Sequence, residues 1–198
     1  MGSIRGADNT MKLEKGLVEV YTGNGKGKTT AAIGLAIRAA GWGLNVSIIF
    51  FMKTGNYGEN ISLSKISNIK QSFYGKDYFL TKDEEIAKKY NAFLVRDRPP
   101  EDYVETIKKG LKEAEEDITS GKYDVVVLDE IFTAIYYSLA SVEDVLRLIE
   151  IKPENVELVL TGRYAPKEIV EKASLVTEMK EIKHPFYQGI EARKGIEY

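Results

Sequence analysis

Between Val18 and Ala32 the chain reads VEVYTGNGKGKTTAA, and its residue types are those that grip phosphate. Gly23, Gly25 and Gly27 let a backbone turn its N–H groups inward and approach phosphate oxygens closely. Lys28 brings a full positive charge, Thr29 a hydroxyl suited to Mg2+, and Lys26 a further charge at the rim. A helix starting here points its positive end at the same place. The spacing nearly matches G-x-x-x-x-G-K-[ST], but Thr22 stands where the first glycine belongs. That glycine serves the turn, whereas the cradle runs from Asn24 to Thr29. Thr22 therefore predicts a different entry into the loop, not its loss. A chance Gly/Lys-rich turn is the alternative; the strand pattern before it and the alanine-rich helix pattern after it weigh against that.

Further along, YDVVVLDE is an apolar strand that delivers Asp129 and Glu130 to its carboxyl end. A carboxylate there holds Mg2+, directly or through water, beside phosphates bound by the loop. Taken alone, Asp-Glu after an apolar strand is weak evidence, because such acids often only cap a helix. Paired with the loop it predicts a chain that binds a nucleoside triphosphate with magnesium, the metal lying among Thr29, Asp129 and Glu130.

These groups need elements to position them. Strands are predicted over Leu17–Tyr21, Asn45–Phe51, Asn68–Tyr74, Tyr123–Asp129, Val156–Leu160 and Ser174–Met179. VVVL and SIIFF are nearly continuous apolar runs, as in a parallel sheet covered on both faces. Helices are predicted over Thr30–Ala40 with Gly41 as its stop, after a capping box of Thr81 with Glu84, over Glu101–Ile118, after a Ser141 cap, and from Pro166. This alternation means an α/β fold: a doubly wound, mostly parallel sheet with helices on both faces, P-loop NTPase-like. Ligands in such sheets bind beyond the carboxyl ends of the strands.

Bulk properties narrow the partners. The 198 residues suit one domain, expected over residues 16–198 behind a flexible N-terminal arm of residues 1–15. A net charge of −2 offers no chain-wide basic surface to nucleic acid. With no cysteine and His184 as the single histidine, thiolate and multi-histidine metal centres are excluded. No run approaches the ~20 apolar residues of a membrane span, and the polar start lacks a secretory core. The expectation is a cytoplasmic protein without membrane insertion.

The segments YTGNGKGKTTAAIGLAIRAAGWG, LDE, LTGRYAP, LVTEM and KHPFYQGIEARKGIEY occur in that order. Together they resemble the P-loop family of ATP:corrinoid adenosyltransferases, over about Leu17 to Tyr198, and the GNGKGKTT form with Thr22 ahead of it is typical of that family. The tail motif is the more specific part, since unrelated nucleotide-binding proteins do not carry it. The resemblance implies that a Co(I) corrinoid attacks the 5′ carbon of ATP's ribose and triphosphate departs. It places Asn24, Gly25, Lys26, Gly27, Lys28, Thr29 and Thr30 on the triphosphate and Arg163 on nucleotide phosphate or ribose. It assigns Lys28, Thr29 and Glu130 to catalysis, and Thr29 and Glu130, with Asp129 alongside, to Mg2+ or its substitute Mn2+. It also implies a homodimer and an external electron donor that reduces cobalt. The family's position for His184 is near the site, with a structural role as the alternative.

One departure stands out. The family commonly places a Phe-Thr-Trp cluster against the lower face of the corrin ring, where this chain has YGKDYFLTKDE. Tyr78 and Leu80 inherit that role by position, with core packing of Phe79 and Leu80 as the competing reading. FMKTGNYGEN is the other loop expected to face the corrinoid, and Trp42 reads as packing. Two rival functions remain: a P-loop kinase or ATPase acting on the γ-phosphate, and a non-catalytic nucleotide-sensing module. Neither needs the tail motif.

Overall fold

Alternate residues of the central strands face two different layers of helices, and that alternation organises the core of the computed structural model, which describes residues 11–198. Along the chain come β1 (Val18–Thr22), α1 (Lys28–Gly41), β2 (Val46–Phe51), α2 (Gly58–Leu63), β3 (Ile69–Tyr74), β4 (Leu80–Thr81), α3 (Glu84–Tyr90) and β5 (Phe93–Leu94). Then follow α4 (Glu101–Thr119), β6 (Val125–Asp129), α5 (Ile131–Tyr136), α6 (Val142–Ile151), β7 (Glu157–Thr161), α7 (Lys167–Lys172), β8 (Leu175–Glu178) and a 3-10 turn at Pro185–Gln188. Six strands form one sheet in the order β3-β2-β6-β7-β1-β8, every neighbouring pair parallel.

Val46, Ile48 and Phe50 of β2, with Val125 and Val127 of β6, pack under Ala32, Ala36 and Ala39 of α1. The intervening Ile49, Phe51, Val126 and Leu128 pack on the other face with Ile107, Ala114 and Ile118 of α4 and Val145 and Leu148 of α6. All six residues of β2 and all five of β6 are buried, which explains their nearly continuous apolar runs. The doubly wound α/β arrangement expected from the sequence is the one observed. The small alanines of α1 also let it lie close to the sheet, fixing the loop at its start.

Several local expectations are corrected. The helix after β4 is capped by Asp83, whose Oδ1 accepts from the N–H groups of Glu85 and Ile86 at 2.8 and 3.0 Å. Thr81 belongs to β4, where its backbone carbonyl accepts from Val95 and its hydroxyl from the Asp83 N–H at 3.0 Å. Trp42 is 72% exposed just past the end of α1 and packs no core. FMKTGNYGEN is not wholly loop, since α2 begins at Gly58. Of the N-terminal arm, residues 1–10 lie outside the described residues, and Leu13 packs against the α1-side core.

Candidate active site

A parallel sheet brings all its strand ends to one edge, and the chemistry-bearing residues gather there. Thr22 is the last residue of β1. Its carbonyl accepts from Met179 N–H at 2.8 Å and its hydroxyl from Ala165 N–H at 3.2 Å. The residue in the first-glycine position thus ties the loop's entry to both flanking segments. Gly25 N–H donates to the Met179 carbonyl at 2.7 Å, and a Cβ on Gly25 would stand 2.8 Å from that oxygen. Only glycine fits there without moving backbone. Gly27, with φ 119°, turns the chain into α1, a left-handed conformation costly for other residues.

No side chain caps α1 and its first turn holds no acid, so the positive end of its dipole faces the open site. Lys28 Nζ donates to the Gly25 carbonyl at 2.7 Å, curled back over its own loop. Burial pulls its pKa below the ordinary lysine value, partly opposed by the Glu130 carboxylate.

Across from the loop, β6 ends in a buried Asp129 whose two oxygens are both used. Oδ1 accepts from the Thr161 hydroxyl at 2.7 Å and Oδ2 from Lys53 Nζ at 2.7 Å. Glu130 follows in a left-handed conformation, φ 60°, which swings its side chain from the sheet into the site. Its N–H donates to Thr161 Oγ1 at 3.0 Å, and its carboxylate accepts from the Thr133 hydroxyl. Thr161, fully buried at the end of β7, therefore orients both acids.

Lys53 also donates to Thr29 Oγ1 at 3.2 Å. Burial works against its charge, but Asp129, joined by Glu130 and Glu59, holds its pKa above the ordinary lysine value. Arg163 is delivered by Gly162, whose φ of 140° and 2.9 Å approach of a would-be Cβ to Phe132 suit only glycine.

One cavity of about 480 Å3 is lined by Asn24, Gly25, Lys26, Gly27, Lys28, Thr29 and Thr30 on one side and by Glu130, Arg163 and His184 around them. Asp129 lies behind this wall, 1% exposed. Tyr78 and Leu80 are not among the lining residues: Tyr78 packs edge-on against Tyr103 at 5.6 Å, and Leu80 is buried in the α4-side core. Phe79 is exposed. His184 both lines the cavity and caps the 3-10 turn, its Nδ1 accepting from Phe186 N–H at 3.2 Å.

Lys53 and Thr161 were missed as site residues, as was the tail's position. Gly195 to Tyr198 form one wall, with Lys26 Nζ donating to the Ile196 carbonyl and to Glu197, each at 3.1 Å. For Lys53 a signal existed: a lysine two residues past an apolar strand that a parallel sheet aims at the ligand edge.

A glycine cradle at a helix N-terminus, facing a strand-end acid pair in an all-parallel sheet, defines a P-loop nucleotide-binding protein. The family model described as ATP:corrinoid adenosyltransferase BtuR/CobO/CobP matches residues 14–198. A corrinoid adenosyltransferase of Sinorhizobium sp is 36% identical over 93% of this chain and 81% of its own. Corrinoid adenosyltransferases of Escherichia coli K12 and of Salmonella typhimurium, the latter named CobA, are each 30% identical over 93% of this chain. The chain belongs to the ATP:corrinoid adenosyltransferase family.

Proposed function

We propose that this cavity transfers the 5′-deoxyadenosyl group of ATP to the Co(I) centre of a corrinoid substrate and releases triphosphate. Family membership supports this reading, and the observation that carries it is the convergence of the α1 N-terminus, Lys28, Arg163 and Glu130 on one cavity. In the transfer, the cobalt electron pair forms the bond to C5′ and the C5′–O bond breaks with its electrons on the departing oxygen. The negative charge that develops there belongs to the triphosphate, so backbone N–H groups from Asn24 to Thr30 and the ammonium of Lys28 stabilise the leaving group. Lys28 exchanges the Gly25 carbonyl for a phosphate oxygen when nucleotide binds. Arg163, exposed and in no salt bridge among the described residues, is free to do the same as a forked donor. Co(I) is itself the nucleophile, and the site needs no general base.

Thr29, Glu130 and Asp129 are the residues that would hold Mg2+, or Mn2+ in its place. Their donors are all oxygen, as a hard cation requires, and the Thr29–Asp129 pair already accepts a cationic group, Lys53. When bound, the ion neutralises charge on the triphosphate. Tyr78 and Leu80 remain assigned to the corrinoid's lower face, a role that would require their segment to rearrange toward the cavity.

The same reading includes a homodimer, an external reductant that supplies Co(I), and residence in the cytoplasm. Among the described residues no helix is long and apolar enough to cross a membrane. The test is anaerobic incubation with Mg-ATP and chemically reduced cob(I)alamin. A light-labile alkylcobalt spectrum with intact triphosphate as co-product is expected. ADP and phosphate without a carbon–cobalt product would instead favour a kinase or ATPase.

A further inference from the structure

The loop that delivers Lys53 is built for that purpose. Met52, directly after β2, has φ 60°, a left-handed conformation that an unbranched but non-glycine residue adopts only at a cost. Its N–H is held by the Tyr74 carbonyl at 2.9 Å. The next backbone unit is pinned by Gly75, where an added Cβ would stand 2.4 Å from Lys53 N. The Lys53 ammonium then lies 5.5 Å from the ring centres of Phe50 and Tyr57, with its side chain only 15% exposed. A strained residue, a glycine-tight contact and two aromatic faces all converge on one placement, between Thr29 Oγ1 at 3.2 Å and Asp129 Oδ2 at 2.7 Å.

Those two oxygens belong to residues assigned above to the divalent ion, and this inference rests on that metal reading. An ion at a normal Mg–O distance of about 2.1 Å from Thr29 Oγ1 would lie within roughly 5 Å of the ammonium. Two cations that close in a half-buried site repel strongly, and they would share the same acceptors. We propose that Lys53 is the resident counter-ion of the Thr29–Asp129 pair in the nucleotide-free protein, occupying it until nucleotide arrives. The incoming triphosphate offers the ammonium an alternative acceptor, and the divalent ion takes the vacated oxygens. Metal binding is thereby made conditional on nucleotide, and the acid pair is kept from trapping free divalent ions. Lys53 is a positioning residue in this scheme, acting through the metal ligands.

The test is Mn2+ binding to the full chain by electron paramagnetic resonance, with and without ATP, for wild type, K53M, K53Q and K180M. Circular dichroism confirms folding, and K53Q, which keeps a hydrogen-bond donor without the charge, substitutes if K53M misfolds. Without ATP, wild type should bind Mn2+ weakly and the Lys53 variants at least ~10-fold more tightly, a measurable rise for one displaced unit charge. K180M, which removes an equal charge from an exposed lysine beside the phosphate loop, should match wild type. Equal binding by wild type and the Lys53 variants overturns the proposal, as does an equal gain in K180M, which would reduce the effect to net charge. Tight Mn2+ binding by nucleotide-free wild type also overturns it while leaving the metal reading intact. Failure of any of these proteins to bind Mn2+ even with ATP overturns the metal reading and this proposal with it.

Discussion

Replacing Thr161 by valine keeps the side chain's shape and deletes its hydroxyl, which joins β7 to both strand-end acids. The hydroxyl donates to Asp129 Oδ1 at 2.7 Å and accepts from Glu130 N–H at 3.0 Å, in a fully buried position. Its loss strips a buried carboxylate oxygen of its donor, at about 1.5–3 kcal/mol, and orphans a backbone N–H, at about 1–3 kcal/mol. Water reaching the half-buried Glu130 offsets part of the second cost, so a net loss of about 3 kcal/mol is expected. For a chain of this size each kcal/mol lowers Tm by about 2–4 °C, which puts the drop at roughly 6–12 °C. T161S keeps both hydrogen bonds and loses one methyl group, at about 1 kcal/mol. Urea and thermal unfolding followed by circular dichroism measure the stabilities, and the adenosyl-transfer assay measures the site. T161V should lose activity by at least ~10-fold even where fully folded, because Glu130 is no longer aimed, and T161S should recover most of it. The reasoning fails if T161V is as stable as wild type, or if T161S is damaged as badly as T161V.

Four further outcomes can be checked. K28A should lose at least ~10²-fold in adenosyl transfer, the usual cost of one charge-stabilising donor, with an unchanged circular dichroism spectrum, since among the described residues its ammonium hydrogen-bonds only to its own loop. G34A should raise stability by about 0.5–1 kcal/mol, because a Cβ in mid-α1 meets nothing within 4 Å, whereas G25A should weaken ATP binding measured by calorimetry, because its Cβ stands 2.8 Å from the Met179 oxygen. Burial, reinforced by Glu19 and opposed by the Leu17 N–H, pushes the Glu157 pKa up to about 7. The folded state then holds this proton more tightly than the unfolded state, so the contribution is full below about pH 4.5 and is lost as pH rises through about 7. Wild-type Tm should therefore fall between pH 5 and 8 by more than that of E157Q; parallel curves would contradict the assignment.

Much of the scaffold was legible because it is local. The alternation of β2 and β6 residues between the two helix layers follows from residues two apart, and the phosphate loop from glycines two apart, so both stand in the chain as contiguous text. Lys53 and Thr161 were harder because their roles arise from contacts across the sheet. Nothing near Met52 in sequence says that Tyr74 and Gly75 will fix its turn, and nothing near Thr161 says that β6 ends beside it. Thr81 misled for a related reason: the S/T-x-x-E pattern was present, but strand pairing with β5 claimed the threonine and left capping to Asp83. Leu80 fits ring cover and core packing equally well in sequence, and the structure buries it in the α4-side core, a placement set by contacts distant along the chain. Trp42, apolar and adjacent to α1, lies past the helix end, where it stays exposed among the described residues.

β7 lies between the strand that carries the phosphate loop and the strand that carries the acids. Two inter-strand steps of about 4.8 Å hold their axes roughly 10 Å apart, a span set by backbone pairing and insensitive to side-chain size. The jaw width of this enzyme is thus quantised: point mutations can blunt or re-aim its teeth, but only gaining or losing an entire strand would change the size of molecule it can bite.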